Sequence, residues 1–556
     1  MYDIIIVGNG LAGLSAAVTC AEAGGRVLLA SSNQPERSQS VMAEGGINAA
    51  LNYKGEDDSP EQHMADTLRA GCDLADAQAV AGLTAAAPGI IEWADRLGTV
   101  FSRDEAGRVD QRCFGGQKKK RTAYANAGIG RQLMAALSRY CRKLESAGRI
   151  EVREDLRLVS LALGDRGCCG GVFRPVTGGE PLGIAADGVI LCCGGPGGLF
   201  GNNTGSLLSD GGAAAAMFRQ GVAMADLEMI QYHPTTAAGP GKRLLISEAA
   251  RGEGGRLFTY KEGRPWYFME EWFPEGGILM PRDVVSRSIY KVVRELNLGV
   301  EGRDEVLLEL SVLPKGVLDS RLAEICRNCR TFLGVDPARQ PIPVWPGVHY
   351  FMGGFYVGRD HACSIPRLWA AGECACQYHG ANRLGGNSTL GAIYGGRVAA
   401  ASALGLPPLY GTAEKKALLE REVSRQRELC AAFSGSLRPP ALRRRLQQLM
   451  REGMAIFRSE ESLTAALSRL DALEAEARRL AGGAEAADSL TLTCQLALSR
   501  AMLLSALARR ESRGAHQRSD FPARDDAGFR AVTVAAMDEA GRVNVDFRPV
   551  GEDPCK

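Results

Sequence analysis

Three of the six histidines in this 556-residue chain stand beside Pro or Gly in loop-like segments. His233 lies in Gln231-Tyr-His-Pro-Thr-Thr236, His349 in Val348-His-Tyr-Phe-Met-Gly-Gly354, and His379 in Tyr378-His-Gly-Ala-Asn-Arg-Leu-Gly-Gly-Asn-Ser388. One such histidine alone reads as structural more often than not; three together point to a site. Ser247-Glu248-Ala-Ala-Arg251-Gly-Glu253 adds an acid and a base three residues apart, which a helical turn places on one face. Pro281-Arg282-Asp-Val-Val-Ser-Arg287 and Arg383 supply more guanidinium. Arginine takes carboxylates through paired, charge-assisted hydrogen bonds, so a pocket of Arg and His donors suits a small dianion. Each arginine alone fits an ordinary surface salt bridge; all of them beside glycine-rich loops fit one less well.

Such side chains need a scaffold, and the amino terminus announces one. Residues 2 to 7 form a continuous apolar strand pattern, Gly8-Asn9-Gly10-Leu11-Ala12-Gly13 follows at once, and an alanine-rich helix runs on to Gly24-Gly25. Arg26-Val27-Leu28-Leu29-Ala30 completes a βαβ unit. Strand, glycines, helix and strand in this order make a dinucleotide signature: Gly8, Gly10 and Gly13 permit a tight turn, and the helix amino terminus presents amides to a pyrophosphate. Where an acid usually holds the adenosine ribose, at the end of the second strand, the chain has Ser31-Ser32, which weakens NAD. Further segments favour FAD. Asp187 to Gly195 reads as a strand entering a glycine turn, Ser209-Asp210-Gly211-Gly212 opens another alanine-rich helix, and Pro366 to Glu373 reads as a strand ending in Gly-Glu, whose carboxylate suits ribityl hydroxyls.

The expected architecture is α/β: a Rossmann-like FAD-binding domain with an inserted capping domain, then a helical domain and a small C-terminal β-containing tail. The boundaries read as 1–225 and 346–410 for the discontinuous FAD-binding domain, 226–345 for the cap, 411–515 for the helical domain and 516–556 for the tail. Pro439-Pro440 marks one helix start, and Ser459-Glu460-Glu461 puts acid in the first turn of another. Leu463, Leu467, Leu470, Leu473, Ala477 and Leu480 line one face of that helix. In the tail, Val532 and Val534 followed by Val543, Val545 and Phe547 predict a β-hairpin, which as two strands alone must dock on something.

Composition removes several classes. Hydrophobic residues are 45% and charged residues 23%, ordinary for a globular protein, so disorder and fibrous repeats are excluded. The net charge is +2 with no long single-sign stretch, which argues against nucleic acid as a partner, and the run Lys118-Lys119-Lys120-Arg121 reads as a solvated loop. No apolar run approaches the length of a spanning helix and no signal peptide is evident, which predicts a cytoplasmic protein attached to a membrane only through a partner. The 16 cysteines then read as reduced thiols, and Cys326-Arg-Asn-Cys329 as a lone CxxC, half of a zinc site. No metal is expected in this chain.

Over nearly its whole length the chain resembles the flavoprotein subunits of the succinate dehydrogenase and fumarate reductase family. The matching segments are Arg37-Ser-Gln-Ser-Val-Met-Ala-Glu-Gly-Gly-Ile-Asn48, Phe114-Gly-Gly-Gln117, Arg121-Thr-Ala-Tyr124 and the His, Glu and Arg motifs above, with Glu511-Ser-Arg-Gly-Ala-His516 and Asp520-Phe-Pro-Ala-Arg-Asp-Asp526 in the tail. The resemblance implies that Arg282 donates the proton to a substrate alkene and is resupplied through Arg251 and Glu248. It implies that Arg383 and His349 clamp one carboxylate, that His233 and Ser247 hold the other, and that Phe114 packs on the bound C4 acid. It places FAD against Gly8, Gly10, Gly13, Ser31, Ser38, Gln39, Gly45, Gly46, Asp210, Glu373, Arg383, Asn387 and Ser388.

One position departs from the family. In the complex II branch a histidine two residues after the Arg of the Arg-Ser motif carries covalent FAD; here that position is Gln39, which has no nucleophilic imidazole. Noncovalent FAD is therefore expected, and with it a lean toward fumarate reduction over succinate oxidation. The implied partner is an iron–sulfur subunit, because the chain has no cluster-type cysteine run of its own, with a membrane anchor reached through the complex at the cytoplasmic face of the inner membrane. L-Aspartate oxidase, which also holds FAD noncovalently, and a reductase of another unsaturated acid are the enzyme alternatives. A protein that keeps FAD without turnover, serving electron transfer or assembly, is the non-enzyme alternative, disfavoured because every proposed catalytic position carries the expected residue type.

Overall fold

The structure, a computed structural model, describes residues 2–125 and 128–554. Its amino-terminal strand β1 (Tyr2–Val7) is followed by helix α1 (Leu11–Glu22) and strand β2 (Val27–Ala30). Strands β3 (Ile150–Arg153), β4 (Leu156–Gly164), β5 (Gly167–Pro175) and β6 (Leu182–Leu191) complete most of a seven-stranded sheet of order β3-β2-β1-β6-β5-β4, and Leu368–Ala370 pairs with β6 from much later in the chain. β3, β2, β1, β6 and Leu368–Ala370 run parallel, with Ile4 opposite Val27 and Ile5 opposite Val189, whereas β4 and β5 form an antiparallel meander on β6. Parallel strands are covered on both faces, which is why Ile4, Ile5, Ile6 and Val7 form an unbroken buried run instead of an alternating one.

The turn between β1 and α1 depends on glycine. Gly8 has φ +107°, and a methyl group on Gly13 would fall 1.8 Å from the Gly8 carbonyl oxygen. This packing drops α1 onto the sheet at the point where its amino terminus faces outward from the carboxyl ends of β1 and β6.

A second sheet of six strands is inserted between β6 and Leu368–Ala370. Its centre is β7 (Ile230–Ala238) paired antiparallel with β8 (Ile342–Phe351); Arg243–Leu245 flanks β7, and Val306–Glu309, Arg256–Lys261 and Arg264–Trp266 continue beyond β8. Helix α2 (Arg282–Tyr290) packs on β7, and this unit has its own apolar core around Ile246, Leu257, Phe268, Ile289, Leu308 and Val344. Cys326 and Cys329 are buried in that core, and each cysteine among the described residues is a free thiol. Among the described residues no group of three or more His, Cys, Asp or Glu could hold a metal ion.

After helix α3 (Asn387–Ala403), which packs along α1, come α4 (Thr412–Ala431), α5 (Pro439–Gly453), α6 (Glu460–Ala477) and α7 (Ala486–Ala508). Proline opens α5, and Ser459 caps α6 by accepting from the Ser462 amide. The tail forms the expected hairpin, β9 (Ala531–Met537) with β10 (Val543–Pro549), and it docks by adding β9 to the short strand Met224–Ala225.

Two sequence expectations need correction. The segment Gly483–Ala508 is long and apolar enough by length and composition to cross a membrane, with mean hydropathy 1.4, yet 67% of that window is buried within the protein, as befits a core helix of a bundle. Arg121 is no part of a solvated loop: it is fully buried, 2.8 Å from both Asp58 and Asp66, because two buried carboxylates satisfy its guanidinium.

Candidate active site

β7 brings one group of donors into place. Gln231 and His233 are both fully buried on this strand, and register shifts at Gln231/Tyr232 and His233/Thr236 bend it there. On the neighbouring β8, His349 lies with its ring centroid 5.1 Å from that of His233, edge to face. Thr204 Oγ1 is 2.8 Å from His349 Nδ1 and orients that ring from the loop after β6. Burial, then the Arg282 cation and the neighbouring His349 ring, hold His233 well below its ordinary pKa; burial, then Arg282 and Arg383, do the same to His349. Both imidazoles are therefore neutral at physiological pH, able to donate one hydrogen bond each without adding charge.

Arg282 opens α2 directly after Pro281, which sets the start of the helix. Its Nε and Nη2 donate to Glu248 Oε2 at 2.9 and 2.7 Å, and Arg251 Nη2 approaches Glu248 Oε1 at 3.3 Å. Glu248 and Arg251 are three residues apart across the short helix Ala249–Gly252, the one-face arrangement that their spacing predicts. Burial alone would raise the Glu248 carboxyl; Arg282 and Arg251 outweigh it and hold the group below the usual carboxylate range. Arg383 lies in the loop before α3, stacked 4.2 Å over the Tyr350 ring, and burial followed by Arg282 lowers it to about 9, still a cation at neutral pH.

His233, Glu248, Arg282, His349, Tyr350 and Arg383 face one cleft, which encloses about 1700 Å³ free of protein atoms, its open mouth included. Its wall includes Gly8, Gly10, Ser31, Ser38, Gln39, Gly45, Gly46, Asp210, Glu373 and Ser388, and with them Phe114, His233, Ser247, Glu248, Arg282, His349 and Arg383. Three expected site residues do not line it. Gly13 packs under Gly8, and Arg251 stands behind Glu248, donating to the Ile278 carbonyl at 2.6 Å. Asn387 turns its side chain away, accepting from Asn48 at 2.7 Å and meeting His63 Nε2 at 2.9 Å. His379, the third histidine of the sequence pattern, is likewise outside: its Nε2 is 3.2 Å from the Tyr350 hydroxyl, behind the ring that Arg383 covers. Thr204, Tyr350 and Gln231 complete the surroundings without having been singled out; Tyr350 and Gln231 stood within the histidine motifs themselves, one and two residues from His349 and His233.

The cleft suits FAD. The cap of α1 is Gly10, which has no side chain to satisfy the first-turn amides; Ser40 Oγ takes that of Leu11 at 3.1 Å, and a phosphate can take those that follow. Ser38 Oγ and Gln39 Oε1 are buried in the cleft wall without protein partners, as are Arg383 Nε and His233 Nε2. Burial raises the Glu373 carboxyl to about 7, which lets it both donate to and accept from ribityl hydroxyls, and Asp210 is fixed by Arg157 at 2.8 Å. A dinucleotide cleft with Arg, His and Glu in its wall defines an FAD-dependent oxidoreductase.

Comparison with known proteins places that class in a family. An FAD binding domain model matches residues 3–389, and a fumarate reductase flavoprotein C-terminal model matches residues 443–555. The succinate dehydrogenase flavoprotein subunit of Bacillus subtilis is 40% identical over 547 residues, covering 96% of this chain and 93% of that protein. The fumarate reductase flavoprotein subunit of Mycobacterium tuberculosis is 34% identical over 578 residues, covering 99% of this chain and 97% of that protein. The solved E. coli quinol fumarate reductase flavoprotein FrdA superposes with a TM-score of 0.91 at 30% identity, over 99% of this chain and 97% of that one. The chain belongs to the family of succinate dehydrogenase and fumarate reductase flavoprotein subunits, FAD-dependent oxidoreductases.

Proposed function

We propose that this protein interconverts fumarate and succinate, working toward fumarate reduction, as the catalytic flavoprotein of a complex that also holds an iron–sulfur subunit; any membrane anchor is reached through that complex. The observation that carries the reading is the grouping of Arg282, Arg383, His233, His349 and Glu248 in the wall of one dinucleotide cleft, with Arg251 paired behind Glu248. Gly8, Gly10, Ser31, Ser38, Gln39, Gly45, Gly46, Asp210, Glu373, Arg383 and Ser388 would hold FAD, which when bound would supply or accept the hydride. Gly13 and Asn387 serve that site from outside its wall, by shaping the turn and the start of α3.

The protein's own groups do the rest. Arg383 and His349 take one carboxylate of the C4 acid, His233 and Ser247 take the other, and Phe114 packs on its carbon chain. Arg282 gives its proton to the alkene carbon opposite the one that receives hydride, and Glu248 with Arg251 returns a proton from solvent. Charge grows toward the far carboxylate as hydride arrives, so cations already in place stabilise the transition state more than the bound acid. The unit 226–345 acts as a cap over the FAD-binding part, 1–225 and 346–410, with the helical part 411–515 and the tail 516–556 bracing both. FAD is held noncovalently, because Gln39 offers no nucleophilic nitrogen.

The test pairs two assays on the purified holoenzyme: fumarate reduction by reduced viologen and aspartate-dependent peroxide formation. Fumarate turnover without peroxide supports the reading; peroxide from aspartate without fumarate turnover replaces it with an aspartate oxidase.

A further inference from the structure

One buried amide joins both arginines of the site. Gln231, fully buried on β7, is not among the residues that line the cleft. Its Oε1 accepts from Arg282 Nη1 and from Arg383 Nη2, each at 3.0 Å. Its Nε2 donates at 2.9 Å to Asn382 Oδ1 and at 2.9 Å to the Arg383 carbonyl. Turned the other way, the amide would set its NH2 against two guanidinium groups and its oxygen against two acceptors, so these four contacts fix one orientation. Asn382 is anchored in turn by donating to Asp283 Oδ1 at 3.0 Å, and Asp283 follows Arg282 in the chain. The network closes over three separate elements: β7, the start of α2 and the loop before α3.

We propose that Gln231 is a positioning residue that sets the spacing between Arg282 and Arg383, and so between the proton donor and the carboxylate clamp. This rests on the functional reading above, in which those two arginines hold those roles. The physical need is plain. Two buried guanidinium groups repel each other, and Arg282 already depresses Arg383. A shared acceptor draws the two Nη groups to one point, whereas a carboxylate there would cancel charge that the dianion needs. A neutral carbonyl oxygen orders the cations and leaves their charge for the substrate. Glu248 shows the contrast: it pairs with Arg282 on the relay side, where a charge is required to return a proton.

The test uses holoenzyme carrying Gln231→Met or Gln231→Glu, with fumarate reduction by reduced viologen as the assay. Misplacing a reacting group by about 1 Å costs on the order of 100-fold, so the kcat of Gln231→Met should fall about 10- to 100-fold. Because the fault lies in proton delivery, the solvent deuterium isotope effect on kcat should rise, while flavin content and melting temperature hold. Gln231→Glu keeps the shape but adds negative charge beside the clamp, so its KM for fumarate should rise about 10-fold or more. Near-normal kcat in Gln231→Met overturns the proposal, as does a kcat reduced only in proportion to lost flavin with an unchanged isotope effect. Should Gln231→Met fail to fold, an unchanged KM in Gln231→Glu overturns it instead. Arg282→Lys separates the two levels: if it keeps full turnover the functional reading falls, whereas its inactivity beside a fully active Gln231→Met removes only the role of Gln231.

Discussion

Two nitrogens of Arg282 donate to a single oxygen of Glu248, Nε at 2.9 Å and Nη2 at 2.7 Å to Oε2. The other oxygen, Oε1, accepts from the Gly115 amide at 3.2 Å and faces Arg251 at 3.3 Å. Each carboxylate oxygen thus serves a different arginine, and a proton passing from Arg251 to Arg282 would cross one carboxyl group. An arginine is a poor acid in water; a carboxylate already in contact with it shortens the time that it spends without its proton.

This relation sets the first prediction. Arg282→Lys keeps the charge but loses the planar fork that meets Glu248 and Gln231 together, and fumarate reduction should fall by at least about 100-fold. Glu248→Gln should lose a similar factor, since the amide cannot carry the proton. Steady-state viologen assays at saturating fumarate, normalised to bound flavin, check both; a loss under about threefold in either would remove the relay.

The second prediction concerns the turn after β1. A methyl group on Gly13 meets the Gly8 carbonyl oxygen at 1.8 Å, and both partners are backbone, so no side chain can yield. Gly13→Ala should lower stability by about 1–3 kcal/mol through overpacking and should lower FAD occupancy with it. The melting temperature and the flavin-to-protein ratio of the purified variant are the readouts. Normal values for both would mean that the turn can open without harm.

Much of this was legible in the sequence because glycine and proline mark the places where backbone must bend around a ligand. Gly8 to Gly13, Pro234 beside His233 and Gly385-Gly386 after Arg383 all flagged cleft residues. Periodicity gave α6 and the tail hairpin, since both are local, although Leu480, read as part of the α6 face, lies beyond the helix end at Ala477 and bridges to Leu437. What stayed hidden depends on contacts between residues far apart in the chain. Asn387 sits in a glycine-rich motif like a ligand, yet its side chain is taken by Asn48, 339 positions away. Arg121 looks like the end of a basic run until Asp58 and Asp66 are seen around it. Gln231 stood inside the His233 motif, but nothing local says that Arg282 and Arg383 converge on its oxygen.

The third prediction follows from Gln39. Its Oε1 is buried in the cleft wall without a protein partner, and an amide cannot attack the flavin ring. Acid or SDS denaturation of the native holoenzyme should release all flavin to the supernatant after precipitation. Yellow, fluorescent protein bands on a denaturing gel would contradict this at once. A Gln39→His variant provides the positive comparison and should retain part of its flavin through the same treatment.

The fourth prediction concerns a buried acid between β9 and the start of the cap. Asp226 accepts from the Thr533 amide at 3.2 Å, and Arg509 Nη2 lies 3.6 Å away. Burial first, then the nearby Glu228 charge, push its carboxyl up to about 8, against the pull of Arg509. A carboxyl whose folded pKa is raised binds its proton more tightly in the folded state than in the unfolded chain. Its stabilising contribution is therefore fully present below the unfolded value near 4 and is lost as pH rises toward about 8. Asp226→Asn keeps the acceptor for Thr533 but does not titrate. Its melting temperature relative to the native protein should therefore climb steadily from pH 5 to pH 8 and level off above. Arg509 also pairs with Glu228 at 2.6 Å and Glu511 at 3.1 Å in the native protein, so replacing Asp226 does not strand the guanidinium and the pH trend isolates the one carboxyl. A difference that stays constant across that range would show that Asp226 is already ionised in the folded protein, with Arg509 the stronger influence.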